Sequence, residues 1–272
     1  KTTLAKGSSY SLPGVRDAEG YTFMGWSTKP MQSVSPQYEA EEKITVNGNV
    51  DLYAVVFNRT TETDLTEDQL PQVDIYKYKQ VIFVGDSRTE FMENVLTGMG
   101  ESATKNVKFV CSAGKGLDWF TTTGWAQLYS IVQHDSNSIL SKKTAVIFNF
   151  GVNDLSKSAD YAEYYNWIAP QLKSKGCELY FMSVNPVNRL MLPNAGRADR
   201  SEAAVRSFNQ YMKANLPSAY TYIDMYSYLK STGYSFASDH YGTGTVDDGL
   251  HYTTRTYKRI FAKCMDSLRV PA

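Results

Sequence analysis

Val81-Ile-Phe-Val-Gly-Asp-Ser87-Arg-Thr-Glu90 is the stretch on which the reading of the whole chain turns. Four consecutive apolar residues closed by Gly85 spell a strand covered on both faces, as in a parallel sheet. Phe91, Met92, Val95 and Leu96 then recur at helical spacing, which predicts a helix from about Thr89 with Asp86 and Ser87 at its mouth. Ser87 has two readings there. It could cap the helix, since Ser87 and Glu90 have the spacing of a capping box. It could equally be a nucleophile at the carboxyl edge of the sheet, where open α/β folds bind ligands.

Outward from this stretch, strands and helices alternate. Strand patterns run over 80–84, 107–111, 144–150, 178–184 and 220–223, and helix patterns over 89–98, 122–140, 159–175, 198–214 and 253–268. Such alternation predicts a parallel sheet with helices on both faces, and an active site gathered from loops at the strands' carboxyl ends.

The 272 residues suffice for one large or two modest domains. With 28 basic and 28 acidic residues and no basic cluster, nothing marks a nucleic-acid or anionic-membrane footprint, so the expected partner is a small molecule or a neutral polymer. Cys111, Cys177 and Cys264 lie far apart in apolar contexts, without metal-type spacing, and read as buried free thiols; no metal or other cofactor is expected. Twenty tyrosines suit either a sugar-stacking surface or core edges. No apolar run approaches a membrane span, and Lys1 opens no signal-peptide pattern.

Residues 1–58 read as a small β module, with Asn47-Gly48 between Ile44-Thr-Val46 and Val50 to Phe57 as a hairpin signal. Gly20-Tyr-Thr-Phe-Met-Gly25-Trp26-Ser, followed by Val50-Asp-Leu-Tyr-Ala-Val, resembles the internalin-type B repeat, or Listeria-Bacteroides repeat. That resemblance implies a β-grasp-like module of bacterial surface proteins, acting as spacer or adhesive. The family's usual first strand is not apparent, so a truncated module with an unpaired edge is expected. Residues 59–76, polar and acidic, read as a linker, leaving 77–272 as the catalytic domain.

Three loops beyond Ser87 hold unexplained polar residues: Cys111-Ser-Ala-Gly114-Lys-Gly116-Leu-Asp-Trp119, Gly151-Val-Asn153-Asp154 and Asp247-Asp248-Gly-Leu-His251-Tyr-Thr253. Singly, each has a plain reading: a tight turn at Gly114 and Gly116, a turn or cap at Asn153 and Asp154, a surface histidine before a Thr253 cap. Together they offer a nucleophile, an amide donor, a backbone donor and a His with an Asp three residues upstream, the parts acyl transfer needs. Asp239-His240 offers a second Asp and His, and His134 among polar neighbours reads as exposed.

Gly85-Asp-Ser87, Gly151-Val-Asn153-Asp154 and Asp248-Gly-Leu-His251, in that order across about 78–270, resemble the blocks of the SGNH (GDSL-type) hydrolase family. The resemblance implies a flavodoxin-like three-layer α/β/α domain with a five-stranded parallel sheet. It also implies metal-free ester hydrolysis with Ser87 as nucleophile, His251 as base and Asp248 as its orienting partner. The oxyanion hole would be the backbone N–H groups of Ser87 and Gly114, with Gly116 as the alternative, plus the Asn153 amide. Arg88 stands where the family often has a small residue; it is either a solvated first-turn side chain or a ligand for an anionic or hydroxyl-rich acyl group. Asp154, Trp119 and His240 are further candidate substrate contacts.

Segments 185–200 and 231–247 are irregular and read as specificity loops, neither forming a long apolar lid. The expected substrate is a short acyl ester, acetyl above all, on a carbohydrate or cell-wall polymer, met outside the cell or at its surface. An acyltransferase or thioesterase using the same acyl-serine is the rival enzyme. A surface adhesion protein with an inactive hydrolase-like domain is the rival of another class.

Overall fold

The structure, a computed structural model, describes residues 2–31, 35–74, 77–134, 143–192, 200–238 and 247–268. The chain forms two compact units interleaved in sequence: Lys1–Glu62 with Asn185–Arg206 and Tyr226–Thr253, and Thr63–Val184 with Ser207–Met225 and Thr254–Ala272.

In the second unit, β5 (Tyr78–Gly85), β6 (Val107–Cys111), β7 (Lys143–Asn149), β8 (Cys177–Met182) and β9 (Tyr220–Ile223) form a parallel sheet in the order β6-β5-β7-β8-β9. This is the doubly wound, flavodoxin-like order, in which the chain goes outward from β5 to β6 and then crosses to β7 on the other side of β5. Crossovers between parallel strands are right-handed almost without exception, and running both ways from β5 they put helices on both faces. Val81, Ile82, Phe83 and Val84 are all buried, as are Ala145 to Phe148 of β7, which is why these strands are continuous apolar runs. α1 (Ser87–Met99) packs on β5, β6 and α7 (Thr254–Ser267), and α4 (Ser158–Lys173) packs on β8.

The sheet strands fall where the sequence pattern puts them. The region read as one helix from 122 is, over its described part, a short turn α2 (Leu117–Trp119), a wide turn at Phe120–Gly124 and α3 (Trp125–His134). α5 spans Glu202–Asn215, and α6 (Met225–Thr232) has no counterpart in the sequence reading.

In the first unit, β1 (Ser8–Ser11) pairs antiparallel with β3 (Lys43–Val46), and β2 (Tyr21–Ser27) with β4 (Tyr53–Asn58). The Asn47-Gly48 hairpin is therefore not formed: each flanking strand takes a partner distant in sequence. β4 buries Val55 and Phe57 and exposes Val56, and strand pairing follows the buried face rather than the local turn signal. β1, the strand the sequence reading missed, gives β3 a partner. Residues 59–74 hold two short 3-10 turns, at Arg59–Thr61 and Glu67–Gln69, and bury Leu70 and Val73. Residues 63–74 belong to the second unit, whereas the first unit contains β10 (Phe236–Ser238) and β11 (Asp247–Tyr252), which pair antiparallel.

Cys177 and Cys264 are buried free thiols as expected, whereas Cys111 is only half-buried, its Sγ 3.2 Å from Glu93 Oε2. Among the described residues no helix is long and apolar enough to cross a membrane.

Candidate active site

In the sheet unit, Gly85 of β5 lies level with Cys111 of β6 and Asn149 of β7. The loops after these neighbouring strands carry Ser87, Gly114 and Asn153, so all three leave the same edge of the sheet, at its switch point. Ser87 is the first residue of α1, where the free backbone N–H groups and the positive end of the helix dipole favour negative charge. The cap itself is Asp86: its Oδ1 accepts from Arg88 N at 3.0 Å, so the capping box expected of Ser87 and Glu90 is replaced by a cap one residue earlier. Either side chain can cap; Ser87 already has helical backbone, which leaves Asp86 at the boundary.

Burial pushes the Asp86 carboxyl up to about 7, against the opposing pull of the Arg88 charge. Arg88 is 2 % exposed, so it is not a solvated first-turn side chain.

Asn153 Nδ2 donates to the Lys115 carbonyl at 2.7 Å, which fixes the direction of its amide. Asp154 ties the neighbouring loop down: Oδ2 accepts from Leu117 N and Oδ1 from the Tyr161 hydroxyl, both at 2.8 Å. Burial raises the Asp154 pKa. That carboxylate also separates the two candidate glycines. A side chain at Gly116 would begin 2.4 Å from Asp154 Oδ2, whereas Gly114, at φ +70°, has open space around it. Trp119 is half-buried, its ring 6.2 Å from that of Phe150.

In the other unit, Asp248 and His251 lie on strand β11 rather than in a loop entering a helix. His251 Nδ1 is 2.6 Å from Asp248 Oδ2, and each side chain is 3 % exposed. The plain reading of His251 as a surface histidine therefore fails. Asp248 Oδ1 accepts from the backbone N–H of Leu250 at 2.8 Å and of His251 at 2.7 Å, so the carboxylate is held by its own turn and both its oxygens are used. Gly249 has φ +69°, in the left-handed region that other residues rarely adopt, and it closes this turn. His240 and the side chain of His134 lie outside the described residues.

Ser87 thus opens the first turn after β5, with the loops after its two neighbouring strands leaving the same sheet edge, and the other unit holds a buried His–Asp pair. The family model for the GDSL-like Lipase/Acylhydrolase matches residues 81–264, and the chain belongs to that family. The Listeria-Bacteroides repeat domain model matches residues 1–55.

Solved structures similar to this chain include an acetyl xylan esterase, AlAXEase, at 12 % identity and TM-score 0.47, covering 70 % of this chain and 100 % of that one. A member of the lipolytic protein G-D-S-L family from Veillonella parvula DSM 2008 aligns at 17 % identity and TM-score 0.40, covering 70 % and 97 %. The catalytic domain of Streptococcus pneumoniae peptidoglycan O-acetyltransferase A aligns at 15 % identity and TM-score 0.40, covering 70 % and 92 %. Comparison with curated proteins gave no match.

Proposed function

We propose that this member of the GDSL-like family is a serine esterase that hydrolyses short acyl esters, acetyl in the first place, on carbohydrate or cell-wall polymers. The observation that carries the reading is the buried 2.6 Å pair of His251 and Asp248, held by two further backbone bonds to the same carboxylate. Such a pair fixes the imidazole tautomer and stabilises its charged form.

In this reading His251 takes the Ser87 proton as Oγ attacks the ester carbonyl, and returns it to the leaving alcohol. The backbone N–H groups of Ser87 and Gly114 and the Asn153 amide hold the oxyanion. Water, deprotonated by His251, then releases the acid and restores Ser87. Gly114 is the chosen backbone donor, with Gly116 the alternative. The repeat-type module fits a secreted or cell-surface protein with a spacer or adhesive role.

The test is turnover of 4-nitrophenyl esters of increasing chain length, followed by acetylated xylan, peptidoglycan and chitin fragments. The reading expects the acetate to be favoured and Ser87→Ala to be inactive. Unmodified protein that turns over no ester sinks it.

A further inference from the structure

Within the unit that holds the His–Asp pair, Asn188 is bonded on two sides. Its Nδ2 donates to the Val15 carbonyl and to Asp17 Oδ1, each at 3.0 Å. Asp17, its side chain 1 % exposed, is itself fixed: Oδ1 accepts from Phe23 N of β2 at 3.0 Å, and Oδ2 pairs with Arg59 Nη2 at 2.7 Å, just past the end of β4. On its other side, Asn188 N donates to the Gly249 carbonyl at 2.8 Å. Its own carbonyl oxygen lies only 2.4 Å from where a Gly249 side chain would begin. Gly249 is the residue between Asp248 and Leu250, so the chain of bonds from the N-terminal strands ends inside the turn that presents His251. Every member belongs to one compact unit.

We infer that residues 1–62 are a working part of the hydrolase, and that Asp17 and Asn188 are positioning residues that hold the Asp248–Gly249–Leu250–His251 turn. The inference rests on the reading of His251 and Asp248 as the base and its orienting partner. The physical reason is economy of freedom: a glycine in the left-handed region is the least restrained point of the turn, and anchoring its carbonyl fixes the peptide on which the Asp248 geometry depends. A small displacement of a general base costs rate without changing the groups that bind substrate.

The test uses the full chain carrying Asn188→Asp, which sets a carboxylate against Asp17 and the Val15 carbonyl. With 4-nitrophenyl acetate the expected result is a loss of about tenfold to a hundredfold in kcat with KM little changed. The low-field proton resonance of the His251–Asp248 hydrogen bond, identified by its loss in Asp248→Asn, should shift or broaden. The double change Asp17→Asn with Asn188→Asp restores a donor at one contact only, since the new carboxylate still faces the Val15 carbonyl and the Arg59 pair is lost, so it should recover no more than part of the kcat. Lys213→Ala, which removes only an exposed ion pair with Asp224 at 3.6 Å and its approach to the Tyr222 ring, should leave kcat and the resonance as they were. If Asn188→Asp does not fold, Asn188→Ala, which removes the donors without adding charge, is read in the same two ways. A folded Asn188 variant with unmodified kcat and an unmoved resonance overturns the inference. Should the unmodified protein show no esterase activity, the hydrolase reading fails, and the resonance alone still decides whether Asn188 positions the pair.

Discussion

Both compact units bury aromatic rings, and the one built on the N-terminal strands adds a buried Lys–Glu cluster. The sheet unit is an aromatic and aliphatic interior: the Phe120 ring lies 5.6 Å from Phe148, 5.1 Å from Phe150 and 5.5 Å from Tyr164, and Tyr165 lies 5.0 Å from Phe148. The unit built on the N-terminal strands is pinned by buried polar partners. Lys230 donates to the Met24 carbonyl and pairs with Glu39 at 2.7 Å and Glu202 at 3.5 Å, Arg59 pairs with Asp17, and Ser235 Oγ donates to Glu62 at 2.6 Å. Apolar burial is non-directional and scales with the area removed from water, so its loss is graded by volume. A buried charge depends on a particular partner, and removing one member strands the other. The unit that holds His251 and Asp248 is the one whose geometry hangs on single side chains.

The largest effect should follow from breaking the pair inside the polar unit. Asp248→Asn keeps the shape but no longer enforces the imidazole tautomer, and kcat on 4-nitrophenyl acetate should fall about ten-thousandfold, on the order of 5 kcal/mol of barrier. Next come two stability losses of similar size and opposite character, measured by denaturant midpoint. Phe148→Ala should cost about 3–5 kcal/mol through the cavity it leaves in the sheet unit. Lys230→Met should cost about 3–5 kcal/mol because Glu39 and Glu202 lose their cation. A second change, Glu39→Gln, should recover part of the Lys230→Met loss and none of the Phe148→Ala loss. Equal recovery in both would erase the contrast between the units.

A smaller loss tests the oxyanion donors of the sheet unit. Asn153→Ala should lower kcat about a hundredfold to a thousandfold, with a stability loss of about 1 kcal/mol from the lost bond to the Lys115 carbonyl. The last is a pH effect. The Asp86 carboxyl is pushed up to about 7 in the folded chain, whereas an unfolded aspartate titrates near about 3.9. The folded state therefore holds a proton that the unfolded chain releases in that interval. The contribution of Asp86 to stability declines as pH rises from about 4 to about 7. Asp86→Asn should flatten the pH dependence of the midpoint in that window while keeping an oxygen to accept from Arg88 N.

The parallel sheet was legible because its strands are buried on both faces, so Val81 to Val84 reads as a strand with no knowledge of its neighbours. The blocks around Ser87, Asn153, Asp248 and His251 stand out because each is a short stretch of fixed local chemistry, and the family model over 81–264 spans all four; the roles given to them are the proposal. What local pattern could not carry is pairing at a distance. Asn47-Gly48 has the composition of a hairpin turn, yet β3 and β4 pair with β1 and β2 because burial, not the turn, selects the partner. Asp248 to His251 lacks an apolar run and so looked like loop, although β11 is paired with β10 through Phe236 and Tyr252. Asp86 and Ser87 are equally good capping types, and only the point at which the backbone turns helical separates them. Asp17 and Asn188, 171 residues apart, are two ordinary polar side chains until the fold joins them.

The most direct test of the account is the site and rate of covalent labelling by a serine-directed fluorophosphonate, followed by mass spectrometry of the labelled peptide. The account expects a single adduct on Ser87, absent in Ser87→Ala, with a rate that follows the titration of one imidazole and loses that dependence in His251→Ala. An adduct on another residue, or labelling of Ser87 at the same rate and pH dependence without His251, would contradict it.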